Sequence, residues 1–163
     1  VEVPYGTAFF AESCGRVIHL ALTDDFDKEL VYFNSRWSLS KPTHAPEHCQ
    51  RLANIIFDET RPDTRTRLLL LGNCFQLAVW SELSHVPEGS VVSYSEIAER
   101  IGHPKSALKV AKAVSENPVA FLIPCHRAVR ADGSLGSYRC GVASKRRMLE
   151  EEGCDLSQLG LAV

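Results

Sequence analysis

Residues 117–138 read NPVAFLIPCHRAVRADGSLGSY. Pro118 and Pro124 bracket a five-residue apolar run, 119–123, of the length and character of a buried strand. At its end the thiol of Cys125 and the imidazole of His126 stand side by side, with cationic Arg127 next. Cysteine is a good nucleophile only as the thiolate, and a neighbouring His or Arg favours that form. The turn-rich segment that follows is able to wrap a ligand. Its glycines, Gly133, Gly136 and Gly141, lack the spacing of a phosphate loop and read as turn formers.

Upstream, the pattern is helical. Residues 75–85 predict a helix with Phe75, Val79, Trp80 and Leu83 towards a core. After the loop at 86–90, residues 95–101 predict a short helix, Gly102-His103-Pro104 a break, and residues 105–115 a second helix. Helix, Gly-containing turn, helix is the helix-turn-helix pattern, whose second helix lies on DNA. That helix would carry Lys105, Lys109 and Lys112 as a basic stripe. A helical hairpin buried in a core fits the same pattern. A last helix is predicted over 142–153.

The first seventy residues read as a small α/β unit. Strands are expected at 5–11 and 16–23 around a turn at 13–15. A helix opened by Asp24-Asp25 should run to about Trp37. A loop at 38–46, a helix over 47–57 with Leu52, Ile55 and Ile56 on one face, and a strand at 65–71 complete the unit, 68–71 reading as a buried strand.

The 163 residues, 45% hydrophobic and 23% charged, hold no apolar run approaching the roughly 18–20 residues that span a bilayer. Six scattered cysteines without a CxxC pair fit neither a disulfide scaffold nor a common zinc pattern. A reducing, intracellular location is expected, with most of the thiols as small core residues. His44, His48 and Cys49 have part of a metal-site spacing, but Pro46 intervenes and no third ligand is apparent. The net charge is −2, yet residues 100–147 hold ten basic side chains against Glu116 and Asp132, a local +8. Such asymmetry points to a polyanion or to a solvated helix face.

The run Asn117-Pro118, Ile123-Pro124-Cys125-His126-Arg127, Gly133 and Gly136-Ser137-Tyr138 resembles the active-site signature of the O6-alkylguanine-DNA alkyltransferases. The likeness extends through Val91–Tyr94, through 72–76 with Val79-Trp80, and on to 149–153, covering roughly 70–154. It implies an α/β (α+β) chain: a ribonuclease H-like mixed α/β domain over 1–70, then a mainly helical, winged-helix-like domain over 71–163 with a helix-turn-helix and the active-site cysteine loop. It also implies DNA repair by irreversible transfer of an alkyl group, mainly methyl, from O6-alkylguanine, with O4-alkylthymine as a second substrate. The partner would be double-stranded DNA with alkylated bases. The protein would act as a monomer in the cytoplasm and nucleoid or nucleus, without cofactor, metal or membrane.

In the terms of that resemblance, Cys125 is the nucleophile and His126 the base acting through a bridging water. Glu152 orients His126, Asn117 ties the cysteine loop, and Tyr94 protonates or hydrogen-bonds the departing guanine. The backbone of Cys125 and Ala128 would read the base edge, and the loop Leu135–Cys140, with Gly136, Ser137, Tyr138 and Arg139, would wall the pocket. Lys105, Ser106, Ala107, Leu108, Lys109, Lys112 and Arg127 would face DNA. Reaching O6 requires flipping the nucleotide from the stack, at a few kcal/mol, and a basic helix gripping phosphates supplies binding largely independent of sequence.

The chain departs from the family in placing Leu108 where an arginine normally fills the gap left by the flipped base. Leucine can wedge an unstacked step apolarly but offers the orphaned partner no hydrogen bond. Arg65 stands where some members have a zinc-binding His, and Ala120 where some have Pro, which implies a tighter limit on bulky adducts. Three other readings stay open: a lesion sensor without chemistry, the repair half of an Ada-type transcription regulator, and, least favoured, a thiol hydrolase.

Overall fold

In the computed structural model, which describes residues 1–37, 43–57 and 66–158, the chain divides into two units, Val1–Leu69 and Leu70–Val163.

The first unit is built on an antiparallel sheet of order β1-β2-β3, from β1 (Glu2–Val3), β2 (Gly6–Ser13) and β3 (Arg16–Leu22). Cys14 and Gly15, both at positive φ, form the two-residue turn that joins β2 to β3. A primed turn of this kind matches the right-handed twist of a hairpin. Helix α1 (Phe26–Arg36) starts at Asp25, whose carboxylate accepts from the Lys28 amide at 3.0 Å. Phe9, Ile18 and Phe33 pack as its core, with Leu30, Trp37 and Leu69 against them. Helix α2 (Pro46–Ile56) buries Ala53 and Ile56, while Ile55, expected on the inner face, is half exposed.

The expected strand at 65–71 is a single parallel bridge, Val17 to Leu68, with Arg65 outside the described residues. Leu71 is exposed, so this aliphatic run is not a buried strand. The run 119–123 is likewise turn rather than strand: Ala120 bridges to Ile123 across a turn with Phe121 at φ +70°. The run 119–123 is largely buried without being a strand, and 68–71 is neither, so an apolar run of this length does not by itself fix a strand.

In the second unit, α3 (Cys74–Leu83) opens with a capping box between Asn73 and Gln76. Val79, Trp80 and Leu83 are fully buried, and the Trp80 indole donates to the Ala113 carbonyl at 2.8 Å. Gly72 is required by close approach, since a Cβ there would lie 2.7 Å from the Trp80 ring. Strand β4 (Val92–Ser93) runs directly into α4 (Tyr94–Arg100), again with a capping box, Ser93 to Glu96.

The connection to α5 (Ala107–Ser115) is longer than the sequence suggested. Lys105 sits in the turn at φ +67°, and the helix begins two residues later, so Lys105 is not part of the helical stripe. A bond from the Ser106 amide to the His103 carbonyl holds the turn closed past Pro104. Helix α5 buries Val110, Ala113 and Val114. A 3-10 turn, Cys125–Arg127, leads to β5 (Ala128–Val129), and α6 (Val142–Glu151) follows. No described helix is long and apolar enough to cross a membrane.

The cysteines do not behave as core residues. Cys14 and Cys74 are exposed, Cys49, Cys140 and Cys154 partly so, and only Cys125 is buried.

Candidate active site

The Cys125 loop is assembled from its backbone outward. Asn117, buried, donates from Nδ2 to the Ile123 carbonyl at 2.9 Å and accepts at Oδ1 from the Val119 amide at 3.0 Å. This one side chain spans the turn and fixes where the chain arrives at Pro124. The Cys125 amide then bonds the Ile123 carbonyl, and the Arg127 amide that of Pro124, closing the 3-10 turn.

Parallel pairing of β4 with β5, Val92 to Ala128 and Ser93 to Val129, brings a second element to the site. Tyr94 is the first residue after β4, so this pairing places it in the wall of the Cys125 cavity. Gly136 makes room there: it sits at φ +67°, and a Cβ would lie 3.2 Å from the Tyr94 hydroxyl. Burial raises the Tyr94 phenol above its usual value, with Cys125 adding to the rise and Arg130 opposing it. Tyr94 therefore carries its proton at neutral pH.

His126 is fully buried, and its Nε2 lies 2.7 Å from Glu152 Oε1. Glu152 caps the C-terminus of α6, where Gly153 at φ +77° and the amide bonds from Gly153 to Glu150 and from Cys154 to Leu149 form a Schellman end. A carboxylate at a helix C-terminus meets the negative end of the dipole. Arg127 compensates, donating to both Glu152 oxygens at 2.8 and 2.9 Å and to the Val86 carbonyl at 2.6 Å. Burial pushes the Glu152 carboxyl up, but hydrogen bonds and charge from His126 and Arg127 outweigh it, leaving it at about 2. With Glu152 ionised, Nε2 of His126 is the protonated donor, and Nδ1 is the basic nitrogen, with no hydrogen-bond partner among the described residues. Arg127, expected to face DNA, is committed to this carboxylate instead.

The thiol, the phenol of Tyr138 and α5 meet around a cavity of about 300 Å³. Tyr94, Asn117, Ala120 and Cys125 line one part of it, Ser137 to Cys140 another, and Ala111, Val114 and Ser115 of α5 a third. The Cys125 thiol donates to the Tyr138 hydroxyl at 3.8 Å, and that hydroxyl donates to Met148 Sδ at 3.9 Å. Burial, reinforced by both Cys125 and Cys140, holds the Tyr138 phenol well above its usual range, so it stays neutral.

The outer surface of α5 carries Leu108, 89% exposed, with Lys109 and Lys112 beside it. Lys112 lies 4.0 Å from Glu116, a weak surface pair. Ser106 and Ala107, at the start of the helix, are half-buried. Among the described residues no group of His, Cys, Asp or Glu is arranged to hold a metal ion.

Lys145 escaped the sequence reading, which counted it among the surface cations. It is 1% exposed, and its Nζ donates to the carbonyls of Ala128 and Leu135, tying the turn after Cys125 to the loop that walls the cavity. Burial lowers its amine to about 8, with Cys125 opposing the fall. The signal was available: Lys145, Met148 and Leu149 are spaced i, i+3, i+4, one face of a helix, and that face is the buried one.

A family profile described as 6-O-methylguanine DNA methyltransferase, DNA binding domain, matches residues 74–154. The chain is 42% identical over 105 residues to the bifunctional transcriptional activator/DNA repair enzyme Ada of Escherichia coli, covering 63% of this chain but 30% of that protein. It is 39% identical over 120 residues to a methylated-DNA–protein-cysteine methyltransferase of Methanothermobacter thermautotrophicus, covering 72% of this chain and 66% of that protein. The crystal structure of the Mycobacterium tuberculosis O6-methylguanine methyltransferase superposes with a TM-score of 0.74 at 31% identity, over 93% of this chain and 89% of that one. A likeness of sequence and fold that runs through both units assigns the chain to the O6-methylguanine DNA methyltransferase family.

Proposed function

We propose that this protein repairs double-stranded DNA by moving an alkyl group, chiefly methyl, from O6 of guanine to the sulfur of Cys125. The observation that carries this reading is the linked set Arg127–Glu152–His126 beside a cysteine that opens on a cavity walled by two neutral phenols. Glu152 holds His126 with Nδ1 basic, and His126 takes the Cys125 proton, through a bridging water as the family resemblance implies. The thiolate attacks the alkyl carbon. The C–S bond forms as the C–O6 bond breaks, and the electron pair leaves on the guanine. Tyr94 donates a hydrogen bond or proton to that anion. Asn117 and Lys145 are positioning residues for the Cys125 turn.

The product thioether is a very poor leaving group, so each protein molecule acts once. No step needs a cofactor. The exposed surface of α5, with Leu108, Lys109 and Lys112, and the turn with Lys105 would rest on the duplex, Leu108 wedging the step vacated by the flipped nucleotide. The protein acts as a monomer inside the cell, and O4-alkylthymine is a second substrate.

The likeness to Ada supports a narrower variant, in which this chain is the repair portion of a longer methylation-responsive regulator.

The test is a nucleoside assay. A duplex carrying O6-methylguanine is incubated with substoichiometric protein, and the nucleosides are quantified. Guanine should replace O6-methylguanine mole for mole with protein and then stop. Continued turnover would contradict the mechanism, and tight binding without conversion would favour a lesion sensor.

A further inference from the structure

The cavity that receives the Cys125 thiol has a second cysteine in its wall. Cys140 is partly exposed and lines the same space of about 300 Å³ as Cys125, fifteen positions further along the chain. Tyr138 links them physically: its hydroxyl is 3.8 Å from Cys125 Sγ, and the charge of either thiolate bears on its phenol. The segment between the two cysteines holds only the end of the 3-10 turn and the two-residue β5 as regular structure, and Gly136 and Gly141 at positive φ bracket the stretch that contains Tyr138 and Cys140. No disulfide joins any of the six cysteines, all of which are among the described residues.

We propose that Cys125 and Cys140 form a peroxide-responsive dithiol site, in which Cys140 resolves oxidised Cys125 as an intramolecular disulfide and so protects the nucleophile from irreversible oxidation. The chemistry balances with a hydroperoxide as oxidant. The Cys125 thiolate attacks the peroxide, the O–O bond breaks, and Cys125 becomes a sulfenic acid while the peroxide leaves as water or an alcohol. The Cys140 sulfur then attacks the Cys125 sulfur, losing its proton, and the sulfenic oxygen leaves as water. Two electrons pass from the two thiols to the peroxide. A cellular thiol reverses the step by exchange.

The inference needs a reactive Cys125 but not alkyl transfer, so the two readings fail separately. Without a resolving thiol, a sulfenic acid proceeds under excess peroxide to the sulfinic acid, which common thiols do not reduce. With one it stops at the disulfide. The closed disulfide removes the thiolate and blocks alkyl acceptance until it is reduced.

The experiment uses the full chain, reduced, freed of reductant and exposed to hydrogen peroxide. Thiols are then blocked with N-ethylmaleimide in acid, and the protein is digested without reduction. The expected result is a protein that carries four maleimides where a reduced control carries six, a linked pair of peptides containing Cys125 and Cys140 that is lighter by two hydrogens than the two free peptides, and full reversal by dithiothreitol. In Cys140→Ser the link should vanish, with Cys125 trapped by dimedone early and found as the sulfinic acid later, while Cys154→Ser keeps the link. Wild-type protein that stays unoxidised, accumulates sulfinic Cys125, or links Cys125 to another cysteine would overturn the proposal.

Discussion

Each unit of this protein buries one histidine against one carboxylate, and the two pairs are close to twins. His19 Nε2 lies 2.6 Å from Glu29, and His126 Nε2 lies 2.7 Å from Glu152. Both imidazoles are shielded from solvent. Their surroundings differ. His19 is ringed by Phe9, Tyr32 and Phe33, and Glu29 sits in the first turn of α1, where the helix dipole favours a carboxylate. Glu152 sits at the wrong end of its helix and is held there by Arg127. His126 adjoins a thiol that opens on a cavity. A buried His–acid pair is thus not a site in itself; what it touches next decides whether it stiffens a core or moves a proton.

The largest effect should come from removing one acid from each pair. Glu152→Gln should slow single-turnover alkyl transfer by on the order of 10²–10⁴-fold, the usual worth of general base catalysis. Glu29→Gln should leave that rate unchanged and lower stability by about 1–3 kcal/mol through an impaired buried hydrogen bond. Equal rate losses in rapid-quench assays would erase the contrast between the pairs.

A pH series sharpens the comparison further. The folded-state Glu152 carboxyl lies at about 2, below the ordinary 4.5. The unfolded chain therefore binds its proton first as pH falls. The network's stabilisation is complete above about pH 4.5 and is lost on descending towards pH 2. Urea unfolding of the wild type and of Glu152→Gln should converge over that window, and a constant gap would contradict the assignment.

The smallest effect concerns α5. Leu108→Arg should raise the repair rate several-fold by giving the orphaned base a hydrogen-bonding partner. An unchanged or lower rate in the same assay would mean that Leu108 already suffices as the wedge.

Much of the site was legible because its spacing is local. Asn117, Cys125 and His126 lie within ten positions, and Tyr94 follows a two-residue strand whose pairing partner follows the Cys125 turn. What failed was the reading of charge as surface. Arg127 and Lys145 look like members of a basic face, yet one braces a carboxylate and the other bridges two buried carbonyls. A count of cations carries no information on which acceptors lie within reach once helices pack, although the i, i+3, i+4 spacing of Lys145 with Met148 and Leu149 was a clue. Helix α5 starts later than Pro104 suggests, because Lys105 at positive φ breaks the helical course and the helix begins only at Ala107. Cys140 was legible as a wall residue only through the family resemblance, since its place depends on how the loop after Gly136 folds back on Cys125.

The central claim is that the alkyl group ends on one sulfur. Duplex containing O6-methylguanine, excess over protein, should leave every molecule heavier by a single methylene unit, and peptide mapping should find S-methylcysteine at Cys125 alone. Cys125→Ala should gain no mass. An unmodified wild type, or a methyl group on Cys140 or any other cysteine, would contradict the account.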